Sequence, residues 1–194
     1  MFMSKPRRDS AMARVFAVCG MPGSGKGEFA TVLVEAGVPV VSMGDMVRAE
    51  VHRRGLEEAP HVFGEVAAEL RAQHGDDVLA VRLCQTVDGL LEVNEHVLIE
   101  GLRGTAEHTI FSQQWGVEYQ TVAIVADDEL RFERIQQRGR SEDGDREAFE
   151  TRNKREIGWG LDRLIDSANH TLDNNHPLPA FKQECARWMS EHFL

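Results

Sequence analysis

The stretch Gly20-Met21-Pro22-Gly23-Ser24-Gly25-Lys26-Gly27-Glu28 constrains this chain more than any other. An apolar run, Val15-Phe16-Ala17-Val18-Cys19, leads into it and has the length and composition of a buried strand. Phe29-Ala30-Thr31-Val32-Leu33-Val34 follows with helical apolar spacing. Strand, glycine-rich turn and helix, in that order, is the context of a phosphate-binding loop. Glycines let backbone N–H groups wrap a polyphosphate, and the helix N-terminus adds its positive dipole. Lys26 brings a full positive charge to the β- and γ-phosphates, while Pro22 and Ser24 stiffen and hydrogen-bond the turn. The usual pattern ends in Lys followed by Ser or Thr, whose hydroxyl binds Mg²⁺. Here Gly27 and Glu28 follow instead. A glycine-rich turn with no ligand is the alternative, and the flanking strand and helix argue against it.

At 194 residues the chain is long enough for one α/β domain with a sizeable core. Its net charge is −10, from 22 basic and 32 acidic residues. Wholesale attraction to nucleic acid or an anionic membrane is therefore not expected: no DNA, no membrane, and RNA is disfavoured. Any anion site must be built locally against that field. Cys19, Cys84 and Cys185 lie in apolar contexts and cannot all pair within one chain, which reads as reduced thiols in a cytoplasmic protein. No apolar run approaches the roughly 18 residues of a membrane span. Residues 1–13 carry Lys5, Arg7 and Arg8 without the apolar core of a signal peptide, and are expected to be a disordered extension, with Met12 an alternative start.

Along the chain, the first helix is expected from Lys26 to about Ala36, ended by Gly37, with a second strand over 38–41. Asp45 is placed to cap a helix running to about Arg54. After a turn at Glu57–Pro60, Phe63, Val66, Ala67 and Leu70 mark an amphipathic helix, and another runs from Asp77 to about Leu91. Val97-Leu98-Ile99 and Gln120–Val125 are continuous apolar runs, as in a parallel sheet covered on both faces. Helices are expected at about 129–137 and 146–157, with a polar, mobile segment from Gly139 to Asp145 between them. His170-Thr171-Leu172 reads as a weak fifth strand, and Phe181, Cys185, Trp188 and His192 as a docked closing helix. Alternating strands and helices imply a doubly wound parallel α/β sheet.

Five segments together resemble the adenylate kinase type of P-loop nucleotide kinase. They are Gly20–Glu28; Val41-Ser42-Met43-Gly44-Asp45-Met46-Val47-Arg48; Leu98-Ile99-Glu100-Gly101-Leu102-Arg103; Asp127–Arg138; and Glu150-Thr151-Arg152-Asn153-Lys154-Arg155. They occur in order across roughly residues 14–175, and look most like the archaeal adenylate-kinase-related proteins also related to dephospho-coenzyme A kinase. The resemblance implies a P-loop NTPase three-layer sandwich with a five-stranded parallel sheet. It also implies one kinase domain over 14–194, acceptor-binding helices over about 45–91 and a short lid over about 139–147.

The resemblance also assigns roles. Gly20, Gly23, Ser24, Gly25, Lys26, Gly27 and Glu28 form the nucleotide loop, with Arg134 stacking on the donor's adenine. Arg138, Arg152 and Arg155 close on phosphates, and Arg48 and Arg103 grip the acceptor's phosphate. A guanidinium at a strand's C-terminal end suits that task, because open α/β sheets bind ligands there and arginine binds phosphate bidentately. Asp45 either orients Arg48, contacts the acceptor's sugar or base, or simply caps its helix with Arg48 exposed. Arg103 has a bland alternative as a solvated loop residue, and Arg134, Arg138 and Arg155 as a solvated helical face. Glu100 stands where P-loop proteins hold Mg²⁺ through water. Glu28 is either a second metal contact or a partner for Lys26. The short lid lacks a cysteine cluster, so no zinc site is implied. Trp159, between Gly158 and Gly160, belongs either to a pocket or to packing.

These readings converge on an ATP- and Mg²⁺-dependent phosphotransferase acting on a small nucleotide-like acceptor, either a nucleoside monophosphate or dephospho-coenzyme A. The alternative is a nucleotide-dependent switch or assembly ATPase that binds RNA or protein. A degenerate nucleotide-binding protein is a third reading, because Glu28 and Glu100 both depart from the family pattern.

Overall fold

A computed structural model describes residues 14–58, 60–139 and 145–193. The expected extension over 1–13 and the core of the expected lid, residues 140–144, lie outside the described residues. Five strands form one sheet: β1 (Val15–Cys19), β2 (Val40–Ser42), β3 (Val97–Glu100), β4 (Tyr119–Val125) and β5 (His170–Asp173). All pairings are parallel and the spatial order is β2-β3-β1-β4-β5. The chain thus leaves β1 for one edge, returns through β3 and crosses to β4. That reversal creates a crevice beyond the strands' C-terminal ends.

Burial on both faces explains the continuous apolar runs. Along β1, Val15, Ala17 and Cys19 face one core, and Phe16 and Val18 face the other. The first core is closed by α2 (Met43–Arg53), α3 (Pro60–His74), α4 (Val78–Leu91), α5 (Thr105–Trp115) and α8 (Leu161–Asp166). The second is closed by α1 (Lys26–Glu35) and α9 (Leu178–His192), whose Phe181, Cys185 and Trp188 are buried as their spacing predicts. The remaining helices, α6 (Asp128–Arg138) and α7 (Arg146–Gly158), flank the crevice. All three cysteines are buried and unpaired. Among the described residues, no helix is long and apolar enough to cross a membrane.

Several boundaries differ from expectation for local reasons. Strand β2 begins at Val40 rather than 38, because the Val38 N–H closes α1 on the Leu33 carbonyl (2.9 Å) and Pro39 has no N–H to give. The cap of α2 is Ser42, not Asp45. The Ser42 hydroxyl accepts from the Asp45 N–H (3.2 Å), and the Asp45 carboxylate accepts from the Ser42 N–H (2.8 Å), a reciprocal capping box. Helices α5 and α8 have no counterpart in the sequence reading. Helix α5 buries Glu107, Phe111 and Trp115 along a narrow stripe, and α8 is only six residues long.

Candidate active site

The loop between β1 and α1 has the backbone its glycines were chosen for. Gly23 (φ 81°) and Gly25 (φ 106°) occupy left-handed conformations. A Cβ at Gly20 would overlap the Ile124 carbonyl oxygen, one at Gly23 would reach 2.5 Å from the Arg131 carbonyl oxygen, and one at Gly25 would overlap Asn174 Nδ2. The loop is therefore clamped by β4, α6 and the segment after β5. Gly27 faces open space, and a Cβ there would meet nothing within 4 Å.

Lys26 folds back across the loop, donating from Nζ to the carbonyls of Gly20 (2.6 Å) and Met21 (3.0 Å). Burial pulls its pKa down from 10.5 to about 8; the negative charge of Glu156 opposes the fall, while Arg103 and Arg152 add to it. Ser24 is fully buried, and its hydroxyl has no hydrogen-bond partner among the described residues.

Around the loop opens a cleft of about 920 Å³. It brings together most of the expected residues: Gly20, Gly23, Gly25, Lys26, Gly27 and Glu28 from the loop, with Glu100, Arg103, Arg134, Arg138 and Arg152. Five cations and four carboxylates (Glu28, Glu100, Glu133 and Glu156) line it. The lining is thus net positive in a chain whose overall charge is −10. Arg134 donates from Nη2 to the backbone carbonyl (2.8 Å) and side-chain oxygen (3.3 Å) of Asn174, and its buried Nη1 has no partner among the described residues. Glu28 is half exposed, 3.9 Å from Lys182.

Three expected residues sit elsewhere. Asp45 and Arg48 form an ion pair with each other, both about half exposed, and neither lines the cleft. Arg48 lies in the second turn of α2. Arg155 lines an adjoining hollow of about 440 Å³, sharing Arg152 with the cleft, and its guanidinium lies 5.4 Å from the centre of the Trp159 ring.

Four residues missing from the sequence reading complete the site. Asn174 is buried just after β5 and donates to the Ser24 carbonyl (2.8 Å). Arg131, buried beneath the loop, donates to the Pro22 carbonyl (2.9 Å) and to Asn153 (3.3 Å), and pairs with Asp128. Glu156, 3% exposed, accepts from Arg152 Nε at 3.2 Å. Glu107 accepts the backbone N–H groups of Arg103 (2.9 Å) and Gly104 (3.1 Å), fixing the turn that aims Arg103; burial raises its pKa despite these bonds. The local spacings of Arg152 with Glu156 (i,i+4) and of Asp128 with Arg131 (i,i+3) are the traces these residues left in sequence.

An all-parallel sheet in this order, with a glycine-rich loop and its lysine between the central strand and the next helix, defines an α/β P-loop NTPase of kinase-like architecture. Such an architecture is one on which nucleotide-dependent phosphoryl transfer is built. The chain belongs to the UPF0200 family, and its residues 19–150 match the family model described as an AAA domain. A UPF0200 protein of Methanosarcina barkeri is 37% identical over 180 residues, 92% of this chain and 96% of that protein. One from Halobacterium salinarum is 40% identical over 168 residues, 87% of this chain and 88% of its own length. Among solved structures, shikimate kinase from Acinetobacter baumannii in complex with shikimate shares the fold. Its TM-score is 0.55 at 14% identity, over 96% of this chain and 98% of that one.

Proposed function

We propose that this protein transfers the γ-phosphoryl group of ATP to a small nucleotide-like acceptor, a nucleoside monophosphate or dephospho-coenzyme A. The observation that carries the reading is the cleft itself. It sets a half-buried lysine and a glycine loop at the end of β1 against Arg103, Arg134, Arg138 and Arg152 in one net-positive hollow. Phosphoryl transfer asks the protein mainly for positioning and for cations around the moving group. On binding, the triphosphate takes the place of the Gly20 and Met21 carbonyls as partner of Lys26. Asn174 holds Ser24 and Arg134 in register, and Arg134, with Pro177 and Leu178 at the cleft wall, faces the donor's base.

The residues present also fit Mg²⁺, which binds through one or two carboxylates, substrate phosphates and several waters. Glu100, the last residue of β3, and Glu28, in the first turn of α1, both line the cleft and would hold it. When bound, Mg²⁺ neutralises charge on the β- and γ-phosphates. Arg103, anchored through Glu107, receives the acceptor; Arg138 and Arg152 approach from the lid side. Closure of residues 139–147 would keep water from the γ-phosphoryl group.

One observation favours the second reading, a switch or assembly ATPase: Asp45 and Arg48 engage each other rather than the cleft. A screen of ADP release with each nucleoside monophosphate and with dephospho-coenzyme A, against a control without acceptor, separates the two. The phosphotransferase reading predicts strong stimulation by one acceptor class. Equal, slow hydrolysis in every tube would overturn it.

A further inference from the structure

Trp159 is the one tryptophan of three that the fold leaves open. It is 44% exposed, against 8% for Trp115 and 5% for Trp188. Its backbone is nevertheless pinned. The Trp159 N–H donates to the Glu156 carbonyl (3.1 Å), and its own carbonyl accepts from the Thr105 N–H (3.2 Å). Gly104 and Gly160 make that approach possible. A Cβ at Gly104 would stand 3.2 Å from the Trp159 oxygen. One at Gly160, where φ is +86°, would stand 2.9 Å from Thr105 Cγ2. The corner is thus welded to the turn that carries Arg103 into the cleft. On the other side, Arg155 holds its guanidinium 5.4 Å from the indole centre.

An exposed indole normally loses the burial that favours it inside a protein. Here its backbone is held next to the turn of an acceptor-side arginine and a cation stands against the ring, an arrangement by which proteins stack nucleobases. We propose that Trp159, supported by Arg155, is a stacking platform for an aromatic base on the acceptor. The acceptor is then a base-bearing nucleotide rather than a base-free phosphosugar or hydroxy acid. This inference rests on the phosphotransferase reading and adds a requirement to it. Trp159 does not line the cleft but packs against Gly104, the residue after Arg103, so the proposed acceptor would place its base on Trp159 and its reacting group toward Arg103.

The test fills the donor site with a saturating non-hydrolysable ATP analogue and Mg²⁺, then titrates in the four nucleoside monophosphates, dephospho-coenzyme A and ribose 5-phosphate by calorimetry. Wild type, Trp159→Phe and Trp159→Leu are compared, and tryptophan emission is followed in wild type. At least one base-bearing probe should bind and quench the emission. Trp159→Leu should weaken that probe roughly 10-fold or more, Trp159→Phe much less, and ribose 5-phosphate should change in neither. Unaltered binding of the ATP analogue shows that each variant is folded. The inference is overturned if Trp159→Leu weakens ribose 5-phosphate as much as the nucleotides, or weakens nothing. It is equally overturned if no base-bearing probe binds while the ATP analogue does. Failure of wild type to bind the ATP analogue would instead overturn the phosphotransferase reading beneath it.

Discussion

The close approach of Gly25 to Asn174 yields a prediction that simple destabilisation would not. Gly25→Ala places a methyl group on Asn174 Nδ2 and forces a non-glycine residue to φ 106°. The left-handed backbone costs about 1–2 kcal/mol. Displacing Asn174 removes its hydrogen bonds to the Ser24 carbonyl (2.8 Å) and from Arg134 (3.3 Å) in a buried setting, a further ~1–3 kcal/mol. Asn174→Ala alone loses the same bonds, again ~1–3 kcal/mol. In the double variant the small side chain at 174 makes room for the methyl group, and the bonds are lost only once. The pair should therefore be less destabilised than the sum of the singles, by ~1–3 kcal/mol. Urea unfolding of the four proteins measures this, with constant slopes confirming a shared mechanism. Additivity within about 0.5 kcal/mol would refute the clamp between the loop and the segment after β5.

Other consequences are as direct. Because burial holds Lys26 near a pKa of about 8 and a polyphosphate favours its charged form, ATP affinity should be level up to about pH 8. Above that it should weaken, by at most ~10-fold per pH unit. Calorimetry in which affinity stays constant to about pH 9.5 would contradict that environment for Lys26. Arg48→Ala should raise the acceptor's KM while leaving ATP binding unchanged, if Arg48 turns from Asp45 to the acceptor; equal loss for both ligands, or no loss at all, removes it from the acceptor site. Glu107→Ala, which strands two backbone N–H groups, should lower the melting temperature by ~4–8 °C, from about 2 kcal/mol at 2–4 °C per kcal/mol for a chain of this size. An unchanged melting temperature would mean that this turn does not depend on the buried carboxylate.

The parts of this molecule legible in its sequence are those encoded by neighbours along the chain. The loop Gly20–Glu28 announces itself because three backbone positions need glycine and the strand and helix beside it carry their own periodicity. The strands beginning at Val15, Val97 and Tyr119 are readable because burial on both faces demands uninterrupted apolar residues. Two supports of the site were not readable, because they act across a long sequence separation. Asn174 meets Ser24 across 150 residues, and Arg131 meets Pro22 across 109. Glu107 was hidden inside α5, whose buried stripe of one carboxylate and two aromatics gives too little apolar signal. Asp45 looked like a cap because aspartate commonly is one, but Ser42 three residues earlier offers the better-placed hydroxyl.

The central claim is that the glycine loop and Lys26 together form a polyphosphate site. Titrating ATP with Mg²⁺ into wild type and Lys26→Ala by calorimetry tests it most directly. The account predicts saturable one-to-one binding to wild type, weakened by ~10²-fold in the variant through loss of a buried charge-assisted contact. Absence of binding to wild type, or equal binding to both proteins, would contradict it.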